Sequence, residues 1–160
     1  MTKENVILLA NLTATRQRII KLSYSLEKNK LLFPLTLETV SNLNDEHEES
    51  IDALILRYSQ SVSMIQDHIF RGIAYMEQED LSDKSNRDKA LLMEKIGAIK
   101  SADDFGTATI LRNKLSHHYP EDIEKRIERL NLIVTEARFV ISTFQDIFNF
   151  LERKGYLNIS

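Results

Sequence analysis

The chain has no cysteine and no tryptophan, and only 4 Gly and 2 Pro in 160 residues. Without thiols there is neither a disulfide framework nor a thiolate metal site, and nothing opposes a reducing compartment, so the cytoplasm is the expected location. Average usage would supply roughly 7% Gly and 5% Pro, so turn-formers are too scarce for a many-stranded sandwich or barrel. Helices are favoured before any pattern is considered. No apolar run reaches the roughly 20 residues of a membrane-spanning helix, so no membrane partner is expected. The apolar run from Val6 to Ala10 is shorter than the core of at least ~7 residues that a secretory signal needs, so no such signal is expected either. A basic surplus is also missing: 21 Lys and Arg face 24 Asp and Glu, for a net charge of -3. This argues against a protein that coats nucleic acid through bulk charge, and no DNA partner is expected, but a local basic patch is still possible. No Gly-rich phosphate loop points to nucleotide hydrolysis.

Hydrophobic residues make up 42% of the chain and charged residues 28%, the balance of a folded globular protein. The length suits one hydrophobic core, so residues 1–160 are expected to form a single domain. Leu8, Leu12, Thr15, Ile19, Leu22 and Leu26 step by four and three, which predicts a helix over about residues 4 to 28. Pro34 breaks that stepping, and the stretch from Leu31 to Leu43 reads as a connection with a short helical turn after Thr36. Ile51, Ile55, Tyr58, Val62, Ile65, Ile69, Ile73 and Met76 predict a long second helix, preceded by acidic residues that suit the positive end of its dipole. The polar segment from Glu77 to Asp88 has almost nothing to bury and is expected to be a mobile surface loop.

A third helical region is expected in two pieces, Lys89 to Ala98 and Asp103 to His117, with Ser101 capping the second. Pro120 should stop that helix and can itself serve as the first residue of the next. In the last helix Ile123, Ile127, Leu130, Val134, Ala137, Ile141, Phe144, Phe148 and Leu151 alternate steps of four and three, with an end expected near Lys154 and Gly155. Ile133, Val140 and Ile147 widen its apolar face beyond what one partner would cover, which suggests packing inside the chain on one side and across a homodimer on the other. The expected fold is all-α, an up-and-down bundle of four principal helices.

One window differs from ordinary helix surface: Leu111-Arg112-Asn113-Lys114-Leu115-Ser116-His117-His118-Tyr119-Pro120. Arg can hold phosphate oxygens bidentately and offset charge in a pentacovalent transition state, and His exchanges protons near neutral pH. At about 100° per residue, Asn113 and His117 share a helix face while Arg112 lies about 140° from His117. One copy does not easily close a site, and two copies about a symmetry axis would bring two Arg and two His together. Without wider context Arg112 would read as a surface ion-pair residue and His117 as a stacked helix-end imidazole.

The spacing Arg112, four residues, His117, one residue, Tyr119 resembles the motif of the HEPN superfamily, and specifically its HepT-like branch. By chance that spacing would arise roughly 0.008 times per chain of this composition. The texture around Met93-Glu94-Lys95-Ile96-Gly97, Ser101-Ala102-Asp103-Asp104 and His117-His118-Tyr119-Pro120-Glu121 is similar to this family over about residues 50 to 152. The resemblance implies a HEPN-like bundle acting as a homodimeric, metal-independent endoribonuclease toxin that uses no cofactor. Its RNA-cleaving site would lie at the dimer interface, and a cognate MntA-like nucleotidyltransferase antitoxin would restrain it. Arg112 would bind the scissile phosphate, His117 would act as acid or base, and Asn113 would orient phosphate or His117. Tyr119 matches the position that the nucleotidyltransferase can adenylylate. The acidic balance favours a shaped substrate such as tRNA over general RNA binding. The alternative is a non-catalytic helical module that serves as substrate or substrate-presenting partner of the nucleotidyltransferase.

The remaining polar candidates have simpler readings. Adjacent His117 and His118 diverge on a helix and make a poor metal pair, so no metal is expected. His47, in the run from Asp45 to Glu49, reads as part of a solvated helix start, and His68 has equally weak claims. Arg57 and Asp67 either line a cleft below the motif or are ordinary surface charge. Tyr119 could equally be an aromatic plug closing the bundle end, a role compatible with modification.

Overall fold

Capping residues and apolar spacing divide the chain into helices much as the sequence predicts. The structure, a computed structural model, describes residues 2–117 and 122–157. Helix α1 (Lys3–Asn29) starts at Thr2, whose side chain accepts from the Asn5 N–H. After the Pro34 connection, Thr36 and Thr39 form a reciprocal capping box that starts the short α2 (Leu37–Ser41). Helix α3 (Asp45–Met64) has the same device built from Asn44 and His47, which accounts for His47 as a cap residue. Its axis continues through a π-helical turn (Ile65–Ile69) into α4 (Phe70–Met76). Ser85 caps α5 (Asn86–Ile96), Ser101 caps α6 (Ala102–Leu115), and Asp122 caps α7 (Ile123–Arg153). Gly97, at φ +90, ends α5 in the left-handed conformation that glycine adopts without strain.

These helices pack into an all-helical bundle around one apolar core. Arg18 bonds Gln60, Ser25 bonds Arg57, and Asn29 bonds the Ser50 carbonyl, so α1 and α3 run antiparallel. Gly72 permits this packing to extend to α4, because a Cβ there would lie 2.6 Å from Leu8 Cδ1. Phe70 and Phe105 meet at 5.0 Å between ring centroids and join α4 to α6.

Several expectations are corrected. The second helix has the predicted extent, but the π turn interrupts it, placing an extra residue where Ile65, Ile69 and Phe70 are all fully buried. Ile133, Val140 and Ile147 do not wait for a second chain: all three are completely buried within this one, because α1, α3 and α6 all pack on α7. Helix α6 ends at Leu115, ahead of His117, and α7 begins at Ile123 behind its Asp122 cap; Pro120 lies outside the described residues. The segment expected to bury almost nothing contributes Glu77, which accepts from the Tyr156 hydroxyl at 3.1 Å and forms an ion pair with Lys154 at 3.0 Å. Leu81 packs against the core beside it.

One polar clamp was not legible in the sequence pattern. Asn131 on α7 accepts from the Leu35 N–H at 2.7 Å and donates back to the Leu35 carbonyl at 2.9 Å. Leu35 is itself buried, so its backbone groups need these partners once removed from water. Asn131→Ala leaves both unsatisfied, and urea denaturation should show a loss of about 2–3 kcal/mol. A loss below about 0.5 kcal/mol would mean that the connection does not depend on this clamp.

Candidate functional site

Arg112 lies in the last full turn of α6, half-buried against α3. Its Nη1 donates to Ser63 Oγ at 3.1 Å, and Nε and Nη2 reach Asn113 Oδ1 at 3.4 and 3.3 Å. The guanidinium is therefore held by neutral acceptors, and no carboxylate of the described residues lies within 4.0 Å of it. Tyr58 supports it from below. This fully buried side chain donates its hydroxyl to the Ala108 carbonyl at 2.6 Å, four residues before Arg112 and so the same carbonyl that the Arg112 N–H addresses in an α-helix. Burial raises the Tyr58 phenol far above its ordinary value; Glu136 adds to the rise and Arg112 opposes it. The hydroxyl is thus a fixed donor at any working pH.

Asn113 and His117 diverge from the predicted arrangement. Asn113 turns its amide oxygen toward Arg112, so it braces the guanidinium. His117 lies beyond the helix end, its N–H on the Lys114 carbonyl at 3.3 Å, and borders a recess with Lys114, Leu115, Arg126 and Arg129. Arg112 consequently faces α3 while His117 faces α7. His118 and Tyr119 lie outside the described residues. Arg57 and Asp67 do not line this region: Arg57 borders a groove between α1 and α3, and Asp67 borders another beside Arg71 and Lys89.

The surroundings of His117 are cationic in a chain whose net charge is -3. Lys114, Arg126 and Arg129 converge there, and Lys125 joins Lys114 and Arg129 along the adjoining groove between α6 and α7, which Glu128 and Glu136 also line. That convergence is the local basic patch that composition alone left open. Ile110 and Leu132 are exposed on opposite sides of the same groove, at 55% and 48%. Sequence spacing missed Ser63 and Tyr58. A tyrosine on a core stripe needs a hydroxyl partner, which was the available signal for the second; a serine on a polar helix face gives none.

Glu136 closes the far end of this groove. Burial, with Asp104 as the second cause, holds its carboxyl above the ordinary 4.5. Ionisation therefore opposes folding, so stability declines as pH rises from 4.5 through the higher folded value, and the deficit persists at pH 7. Glu136→Gln is expected to raise Tm by about 1–2 °C at pH 7 and to have little effect at pH 4. Equal shifts at both pH values in calorimetry would place the effect outside this titration.

Among the described residues there is no group of three or more His, Asp or Glu side chains arranged to hold a metal, and no helix long and apolar enough to cross a membrane. No family model, no curated protein and no solved structure matches the chain.

Proposed function

We propose that this protein is a HepT-like member of the HEPN superfamily, a cytoplasmic, metal-independent endoribonuclease toxin that works as a homodimer. The observation that carries the reading is the pair of features at the end of α6: a guanidinium braced by Ser63 and Asn113, and His117 set among Lys114, Arg126 and Arg129. A braced arginine without a carboxylate partner suits a phosphate, and the converging cations suit the neighbouring phosphates of an RNA strand. Because one chain turns Arg112 toward α3 and His117 toward α7, a complete site draws these groups from two copies. Exposed Ile110 and Leu132 beside the cations offer apolar surface for that pairing. The fold belongs, on this reading, to the up-and-down class with four principal helices: α1, the α3–α4 unit, the α5–α6 unit and α7.

In the reaction, His117 takes the proton of the RNA 2'-hydroxyl as its oxygen attacks the adjacent phosphorus. The bond to the 5'-oxygen breaks, giving a 2',3'-cyclic phosphate and a 5'-hydroxyl that receives a proton from the imidazolium or water. Arg112 stabilises the charge that builds on the phosphoryl oxygens. A cognate MntA-like nucleotidyltransferase silences the enzyme by adenylylating Tyr119.

The test is cleavage of total RNA and of bulk tRNA by the purified homodimer in excess chelator, with Tyr119 confirmed unmodified by mass. Cleavage by the wild type that His117→Ala and Arg112→Ala each reduce at least about a hundredfold supports the proposal. Intact RNA, or cleavage that survives both substitutions, overturns it; intact RNA points to the non-catalytic partner of a nucleotidyltransferase.

A further inference from the structure

Arg57 is a second arginine immobilised without a counter-ion, on a different face of the bundle. Its Nη1 donates to Ser25 Oγ at 2.8 Å and to the Lys21 carbonyl at 3.3 Å, and its guanidinium carbon lies 5.8 Å from the centre of the Tyr24 ring. Among the described residues no carboxylate lies within 4.0 Å of it, although the side chain is half-buried. Withdrawing a cation from water is costly unless an anion compensates. These contacts engage Nη1 and one ring face, which leaves the Nε–Nη2 edge, the two-donor fork that matches an oxyanion.

Arg57 borders a groove of about 660 Å³ between the C-terminal half of α1 and the N-terminal half of α3. Lys28, one residue before the Asn29 that bonds the Ser50 carbonyl, adds a second cation between Arg57 and the glutamate end, while Leu31, Leu32 and Ala53 supply an apolar wall. Tyr24 is 61% exposed, so much of its ring remains open beside the guanidinium. Glu46 and Glu49 line the same groove but at its other end, about 16 and 12 Å from Arg57 along the axis of α3. They are too distant to neutralise the Arg57 end across water.

We propose that this groove binds a small molecule carrying an oxyanion on an apolar body, with Arg57 and Lys28 holding the anion and the Tyr24 ring and leucines covering the body. The oxyanion is a carboxylate or a phosphate monoester. This site is separate from the end of α6, and the proposal stands or falls independently of the ribonuclease reading.

Three probes test it by amide chemical-shift titration of the full chain: 4-phenylbutyrate, phenyl phosphate and uncharged 4-phenyl-1-butanol. At least one acid is expected to shift amides in residues 21–32 and 46–57 saturably below about 10 mM, and the tighter of the two identifies the source of the anion. Arg57→Gln loses the charge and the guanidinium fork, and should weaken binding about tenfold or more. Lys28→Gln, at an exposed position, should weaken it about threefold and keeps the test valid if Arg57→Gln disturbs folding. The alcohol should bind at least about tenfold more weakly than the better acid. Absence of saturable shifts with both acids, equal binding of the alcohol, or affinity unchanged in both variants overturns the proposal.

Discussion

Arg112→Lys is expected to lower RNA cleavage about a hundredfold or more while leaving Tm within a few degrees of wild type. The substitution keeps the positive charge, so an effect of that size would show that charge alone is insufficient. Arginine reaches Ser63 through Nη1 and Asn113 through Nε and Nη2 at the same time, which fixes the plane of its fork. Lysine has a single, strongly hydrated ammonium that cannot make this set of contacts or present two parallel donors to a phosphate. Ser63→Ala should then be milder, about tenfold in kcat with KM little changed, because the fork survives and only its anchor on α3 is lost. Initial rates on a defined RNA decide the matter. If Arg112→Lys keeps more than about a third of wild-type activity, the fork geometry has no role in the transition state.

How much of this could be read from the sequence differs sharply between backbone and site. Helix α1 was readable almost to the residue because Leu8, Leu12, Ile19 and Leu22 follow a 3.6-residue period and all are buried. The Ser101 cap was legible because caps are local chemistry, decided within four residues, whereas the helix before it ends at Ile96 with Gly97 as its cap and does not run on to Ala98 as expected. The π turn was not, since Ile65, Ile69 and Ile73 keep a nearly helical spacing and the extra residue sits where the turn packs against α1. The width of the α7 face was read correctly but its cause was not: a stripe such as Ile133, Val140 and Ile147 looks the same whether a second chain or a neighbouring helix covers it. At the site, periodicity placed Arg112 on α6 but extended the helix to His117, so the predicted Asn113–His117 face was replaced by an Asn113–Arg112 brace. Ser63 is 49 residues from Arg112, and no local rule connects them.

Tyr58→Ala is expected to cost about 3–5 kcal/mol, enough to unfold a large fraction of an ordinary domain at moderate temperature. The ring is fully buried between α3 and α6, and truncation leaves a cavity that the rigid helices around it close only in part. Tyr58→Phe separates packing from polarity. The ring remains, the bond to Ala108 is lost, and the Ala108 carbonyl still has the helical N–H of Arg112, so the cost should fall to about 1–2 kcal/mol. Because that carbonyl lies one turn from Arg112, the same substitution tests whether the α3–α6 junction positions the guanidinium. A positioning role predicts a lower kcat with KM nearly unchanged, measured well below Tm, and a loss smaller than that of Arg112→Lys. If Tyr58→Phe lowers stability but leaves kcat intact, the Tyr58–Ala108 contact is purely a packing element, and Ser63 and Asn113 set the orientation of Arg112.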